Sequence, residues 1–204
     1  MALLITSPFQ WVKTLLTRRW PIGLLVWALI GLSGAEVEAQ PSPSREYQIK
    51  AVFLFNFLQF VEWPESAFPD KTSPINIGIL GNDRFGSALD ETVRGETIEG
   101  RPLSITRSQR VDDLLRCHLV FISDSEARRV ETILAPLASR PVLTVSDMTN
   151  FARQGGVIGF YPEGKKVRFE INVNTAQRSG LKISSDLLRL GKIVGADTAG
   201  GQLR

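Results

Sequence analysis

The longest apolar stretch outside the N-terminus is "KAVFLFNFLQFVEWPES", Lys50 to Ser66, in which Ala51 to Val61 is broken only by Asn56 and Gln59. On a helical wheel, Ile49, Phe53, Phe57, Phe60 and Val61, with Leu54 and Leu58, cover more than half the circumference. Asn56, Gln59 and Glu62 mark a narrow polar stripe, and Val52 and Phe55 fall inside it. An eleven-residue run is too short to span a bilayer, which takes about 20 residues. The pattern predicts a core helix whose surplus apolar residues, Val52 and Phe55 beside Gln59, form a contact edge for another element or another protein.

Downstream the pattern alternates between two periods. "SPINIGILG" (73–81) is a β-branched run bounded by Pro and Gly, the signature of a buried strand. "DRFGSALDETVRG" spaces Phe85, Leu89 and Val93 as a helix does and ends at Gly95. "RPLSITRS" reads as a strand, "RVDDLLR" as one or two helical turns, and "CHLVFIS" as a second buried strand. "DSEARRVETILAPLAS" predicts an amphipathic helix, capped by Asp124 or Ser125 and buried through Ala127, Val130, Ile133, Leu134 and Leu137. "PVLTVSD" returns to strand, and Gly155-Gly156 reads as a helix C-cap after "TNFARQ".

This βαβ rhythm predicts a single three-layer α/β domain with a mostly parallel central sheet flanked by helices. "GGVIGFYPEGKKVRFEIN" then supplies a C-terminal antiparallel hairpin around Pro162-Glu163-Gly164-Lys165. Val167, Phe169 and Ile171 take one face of the hairpin, and Arg168, Glu170 and Asn172 the outward one. "ISSDLLRLGKIV" closes the domain as a helix buried through Leu187, Leu188, Leu190 and Ile193.

The N-terminus changes the compartment. Lys13, Arg18 and Arg19 precede fourteen uncharged residues, Trp20 to Ser33, and small residues lead to Val37-x-Ala39. These are the three regions of a secretory signal peptide, residues 1–39, cleaved after Ala39, with Ser33-x-Ala35 as a second site. The mature chain then has 165 of the 204 residues: a Pro/Ser linker at 40–45, one domain at 46–194, and a disordered tail at 195–204. The signal predicts export, with no part of the mature chain inserted in the membrane. Composition adds one exclusion. The signal removes three basic and two acidic residues from a formal charge of +3, leaving +2, and no basic run carries interleaved aromatics, so nucleic acid is not a partner.

Candidate chemistry is sparse. The one cysteine and one histidine are neighbours, Cys117-His118, and on a strand they point to opposite faces. That arrangement predicts neither a metal site nor a cofactor, and a hydrolytic triad lacks its G-x-S-x-G elbow. In "GILGNDRFG" the glycines fit no nucleotide-binding fingerprint, so the segment reads as a tight turn capped by Asn82 or Asp83, with only weak anion affinity. An exported chain with one cysteine has no internal disulfide, and the apolar strand "HLVFI" beside Cys117 predicts a buried thiol, a bridge to a second chain being the alternative.

"KAVFLFNFLQFVEWP", "IGILGNDRFGSAL", "IEGRPLSI", "CHLVFIS" and "LTVSDMTNFARQGGVIGFYPEGKKVRFEINVNTAQRSGLKISSDLLRL" together resemble the YfiR family of exported bacterial proteins, from about Tyr47 to Val194. The block from Phe151 to Leu190 is the most specific. The resemblance implies a non-enzymatic periplasmic regulator that forms a homodimer. It further implies repression of a membrane-bound partner, an inner-membrane diguanylate cyclase or another sensor protein, through that partner's periplasmic domain, which lowers cyclic di-GMP and restrains biofilm formation. Relatives carry a cysteine aligned with Gly78 alongside one aligned with Cys117; glycine here removes that route to redox control. The candidate contact residues are Val52, Phe55 and Gln59, joined for polar specificity by Arg168 and Glu170, whose alternative reading is a solvated cross-strand pair. The competing function is a periplasmic small-ligand-binding module or minor enzyme using the loops at the carboxyl edge of the sheet.

Overall fold

The computed structural model describes residues 44–195; the signal peptide, its cleavage point at Ala39, residues 40–43 of the linker and the tail beyond Gly195 lie outside the described residues. The first helix, α1 (Arg45–Phe60), buries Tyr47, Lys50, Ala51, Leu54, Phe57 and Leu58, a spacing of three and four that keeps one face inward. It stops where Val61 turns extended and pairs, in β1 (Val61–Glu62), with the two-residue strand β9 (Lys182–Ile183). This face differs from the one the apolar wheel predicts. Ile49 is exposed and Lys50 is inside.

The remaining elements are β2 (Ile75–Leu80), α2 (Ser87–Val93), β3 (Thr97–Ile98), β4 (Arg101–Ser108), β5 (Leu119–Ile122), α3 (Val130–Leu134), β6 (Leu143–Ser146), β7 (Ile158–Glu163), β8 (Lys166–Asn172), α4 (Val173–Arg178), α5 (Ser185–Leu190) and β10 (Lys192–Val194). Eight strands form one sheet in the order β10-β8-β7-β6-β5-β2-β4-β3. The five central strands β4, β2, β5, β6 and β7 are parallel, and β7 and β8 form the expected antiparallel hairpin. From β2 the chain passes to β4 on one side, then crosses to β5, β6 and β7 on the other. The switch point lies between Leu80 and Ile122.

Alternation along the strands builds two cores. Ile77, Ile79, Leu119, Phe121 and Val145 pack beneath α1 and α2 with Phe57, Phe85, Phe160 and Phe169. Leu80, Val120 and Ile122 face the other layer, with Leu114, Cys117, Val130, Ile133 and Phe151. The first core is rich in ring contacts, Phe57 meeting Phe169 edge-on at 5.0 Å between centroids and Phe85 meeting Phe121 at 4.8 Å.

Three elements depart from the sequence pattern. The helix expected over 124–139 is a 3-10 turn, Asp124–Arg129, running into the short α3, and Ser123 caps it by accepting from the Ser125 N–H. Ala127 is exposed; Glu126 turns inward and pairs with Arg129. The segment 150–155 is a run of turns lapped over the outward face of the hairpin. There Asn172 donates to the Ala152 carbonyl at 2.8 Å, and a Cβ on Gly159 would stand 3.2 Å from the Ala152 backbone nitrogen, a tight contact. The closing helix ends at Leu190, where Gly191 turns extended and packs so near Phe169 that a Cβ would stand 2.7 Å from its ring. Past this glycine the chain joins β8 in parallel, Lys192 opposite Glu170, and leaves Leu190 and Ile193 outside rather than in the core.

Candidate interaction surface and polar crevice

Val52 projects from α1 with 49% of its surface exposed, and Ile49 stands one turn earlier. Phe55 is half-buried against the core beneath α1, and Gln59 is exposed. Gln59 lines a groove of about 560 Å³ with Glu62, Trp63, Phe68, Ile98 and Arg101. Beside α1, the α5–β10 segment exposes Leu190 at 68% and Ile193 at 50%. Among the described residues these four, Ile49, Val52, Leu190 and Ile193, are the exposed large apolar side chains. Ile193 lies on β10, the terminal strand of the sheet, whose outer edge pairs with no described strand, and Leu190 stands just before it.

The two hairpin residues separate. Arg168 is exposed and pairs with Glu163 at 3.0 Å, a solvated ion pair. Glu170 is buried, with Arg153 at 3.9 Å, because the lapped segment 150–155 covers the face that strand alternation turns outward. It is not available as a surface contact, which corrects the expectation from its period-two position.

Cys117 and His118 do face opposite layers. The Cys117 thiol is buried with Leu114 and Val120, and burial pushes its pKa up to about 11. His118 stacks on Phe68 at 4.5 Å, accepts the Asn76 N–H at Nδ1 (3.0 Å) and faces the Ala67 carbonyl with Nε2 at 3.3 Å. Both ring nitrogens are thus occupied in the neutral tautomer protonated at Nε2. Burial foremost, then the nearby Arg101 charge, lower its pKa below the usual 6.5, against a raising contribution from Ala67. Its role is to join the β5 start to the 65–68 turn. The turn after β2 is likewise used internally: the Gly81 N–H goes to Ser108, the Asn82 N–H to Ser125 Oγ, and Asp83 accepts from Phe85. Gly81 has φ +86°, and a Cβ there would stand 2.5 Å from Ser125 Oγ, so glycine is required.

A polar arrangement that no local pattern signals lies at the carboxyl end of β6. Asp147 Oδ2 accepts from Tyr47 and from the Lys50 ammonium, each at 2.6 Å, and Lys50 also pairs with Glu46 at 2.6 Å. The Lys50 ammonium stands 4.3 Å from the centroid of the Tyr47 ring. Burial first, then the bond to Asp147, raises the Tyr47 pKa above its ordinary value. The Asp147 side chain is 10% exposed, and its second oxygen, Oδ1, is buried without a hydrogen-bond partner. Asp147 forms one wall of a crevice of about 290 Å³ that continues past Phe160 and Tyr161 to Glu170 and Lys192. A heptad or strand pattern could not find this site, since Lys50 and Asp147 are 97 residues apart.

The described residues form a doubly wound α/β domain with an antiparallel hairpin and four exposed large apolar side chains, and among them no group of three metal-ligating side chains occurs. A family model described as YfiR/HmsC-like matches residues 47–192, and the chain belongs to that family. The family is one of periplasmic regulators, not known as enzymes, that imply a membrane-associated partner. Among the described residues no helix is long and apolar enough to cross a membrane. Among solved structures, the chain is similar to a conserved domain protein from Vibrio cholerae O1 biovar El Tor, at 10% identity and a TM-score of 0.50 over 72% of this chain. It also matches the ABC domain from Streptococcus pneumoniae solved in complex with L-Trp, at 13% identity and a TM-score of 0.44 over 58% of this chain. The chain spans 59% and 55% of those two proteins.

Proposed function

We propose that the mature chain is a periplasmic homodimer that holds an inner-membrane diguanylate cyclase inactive by binding its periplasmic domain, and so lowers cyclic di-GMP. The observation that carries the reading is the exposed apolar rim of Ile49, Val52, Leu190 and Ile193 in a YfiR/HmsC-like chain. The rim divides by its neighbours. Leu190 and Ile193 border the open edge of β10, a surface across which a second copy pairs. Val52, with Phe55 and Gln59, lies along α1 and serves the partner, with Arg168 adding polar specificity at the hairpin. Repression needs no chemistry, only a surface whose affinity differs between the partner's two states.

The test is a pair of charge substitutions at exposed sites. Leu190→Glu is expected to give a folded monomer by circular dichroism and light scattering, since a charge trapped in an apolar interface costs several kcal/mol, roughly 3–5. Val52→Glu is expected to remain a dimer while cellular cyclic di-GMP rises. If both variants fold, dimerise and leave cyclic di-GMP at its wild-type level, the assignment of this rim is wrong.

A further inference from the structure

We infer that Tyr47, Lys50 and Asp147 form a positioning device: their buried polar cluster fixes the rotation of α1 about its own axis, and so decides which of its apolar side chains face solvent. The helix carries two apolar stripes. Ile49, Phe53, Phe57 and Phe60 recur at intervals of four, four and three, the spacing of a single helical face. The face turned to the sheet is a different one, formed by Tyr47, Lys50, Ala51, Leu54, Phe57 and Leu58. The two share Phe57, and their centres lie about 100° apart, the angle of one residue. In the observed rotation Ile49 is 40% exposed, Phe53 and Phe60 are half-buried, and a lysine is inside. Apolar burial does not separate the two rotations, because Ile49, Phe53 and Phe60 on one stripe stand against Ala51, Leu54, Leu58 and the Tyr47 ring on the other.

The polar groups do separate them. The Tyr47 hydroxyl and the Lys50 ammonium both donate to Asp147 Oδ2 at 2.6 Å, and Asp147 directly follows the end of β6 at Ser146. A roll of α1 by one residue toward the Ile49 stripe swings both donors away from that carboxylate, whose side chain is only 10% exposed. A buried carboxylate stripped of its donors is costly. The helix ends offer no equivalent lock. Ser44 gives no side-chain cap, and the pairing of Val61 with Ile183 and Glu62 with Lys182 holds only the carboxyl end. The rotation of the half that carries Ile49 and Val52 therefore rests on the cluster. Replacing a buried ion pair by apolar side chains is often neutral for stability, so selecting one packing among competitors is the role this pair fits. If Val52 serves the partner, the cluster positions that surface too, a consequence that rests on the proposed function.

The experiment replaces the cluster by apolar side chains, Lys50→Met with Asp147→Leu, in the mature protein, and reads methyl relaxation by NMR with a soluble gadolinium chelate as the probe of exposure. In the wild type the chelate should relax the exposed Ile49 methyls strongly and the buried Ala51 methyl weakly. In the double variant the two should change in opposite senses, the effect falling at Ile49 and rising at Ala51. Simple loosening would raise both, so opposite changes identify a roll. Adding Ile49→Gln to the double variant should restore the weak effect at Ala51, because the competing stripe loses its first member. If the double variant does not fold, Asp147→Asn, which keeps the shape and removes the charge, is read in the same way. Failure of both to fold would make the cluster a plain requirement of folding and overturn the positioning role. A folded variant in which both methyls keep their wild-type values, or rise together, overturns it as well. Cellular cyclic di-GMP is the separate readout of the partner surface: a roll that leaves it unchanged sinks the assignment of Val52 to the partner and leaves the positioning role standing.

Discussion

Gly78→Cys should create an internal disulfide with Cys117. Gly78 lies in β2 on the layer that holds Leu114 and Cys117, its φ is not in the left-handed region, and a Cβ built on it stands 3.1 Å from the Cys117 sulfur. A disulfide's own geometry sets the Cβ of one half-cystine about 3 Å from the sulfur of the other, so the bond needs little backbone movement. Closing the loop of roughly 40 residues between the two positions gives a loop-entropy stabilisation of about 4 kcal/mol. Crowding opposes it, because the two Leu114 methyls lie 3.2 and 3.3 Å from the new Cβ. An overpacking cost of about 1–3 kcal/mol leaves a net gain of about 1–3 kcal/mol when oxidised. For a domain of this length that is a rise in Tm of about 2–12 °C. In dithiothreitol the same variant should melt below wild type, since only the crowding remains. The assay is thermal melting with and without reductant, together with a thiol count under denaturing conditions. Two free thiols in a folded protein after treatment with oxidised glutathione, or a bridge between chains instead, would refute the geometric reasoning.

Other consequences of the side-chain environments are directly measurable. Cys117 in the native protein should react with a thiol reagent at pH 8 only on the timescale of opening, because it is buried and its pKa is raised; rapid labelling without denaturant would contradict its burial. The His118 contribution to folding stability should be present above the ordinary imidazole pKa of 6.5 and fall as pH drops below it, since His118 is neutral in the fold with a lowered pKa and the unfolded chain takes up the proton first. Urea melts across that window should lose this dependence in a folded His118→Asn variant, and an unchanged slope there would assign the effect elsewhere. Lys50→Met should cost about 3–5 kcal/mol by stranding the buried Asp147 carboxylate, and Lys50→Met with Asp147→Leu should recover much of it. A loss below 1 kcal/mol in the single variant, by the same melts, would show that the pair is solvated.

What the sequence determined by itself is whatever a local period encodes. Ile77, Ile79 and Phe121 against Leu80, Val120 and Ile122 split the strands between two layers as a period of two demands, and Cys117 parts from His118 for the same reason. The hairpin, the parallel rhythm and the core helix followed from such patterns, and the helix over 45–60 answered to its spacing despite Ser44 giving no side-chain cap. The tertiary structure decided which residues of each face meet water or a distant partner. Lys50 went inside because Asp147, delivered by β6, pairs with it there, and Ile49, next to it on the helix, points to the exposed side. Glu170 and Asn172 are buried because the chain at 150–155 folds back over a face whose own alternation marks it as solvent-facing. Leu190 and Ile193 became surface because Gly191, pressed against Phe169, turns a predicted helix into an edge strand. Periodicity reports a residue's neighbours along the chain; burial and charge pairing depend on which elements the sheet order sets side by side, and for the crevice those elements begin 97 residues apart in the persons of Lys50 and Asp147.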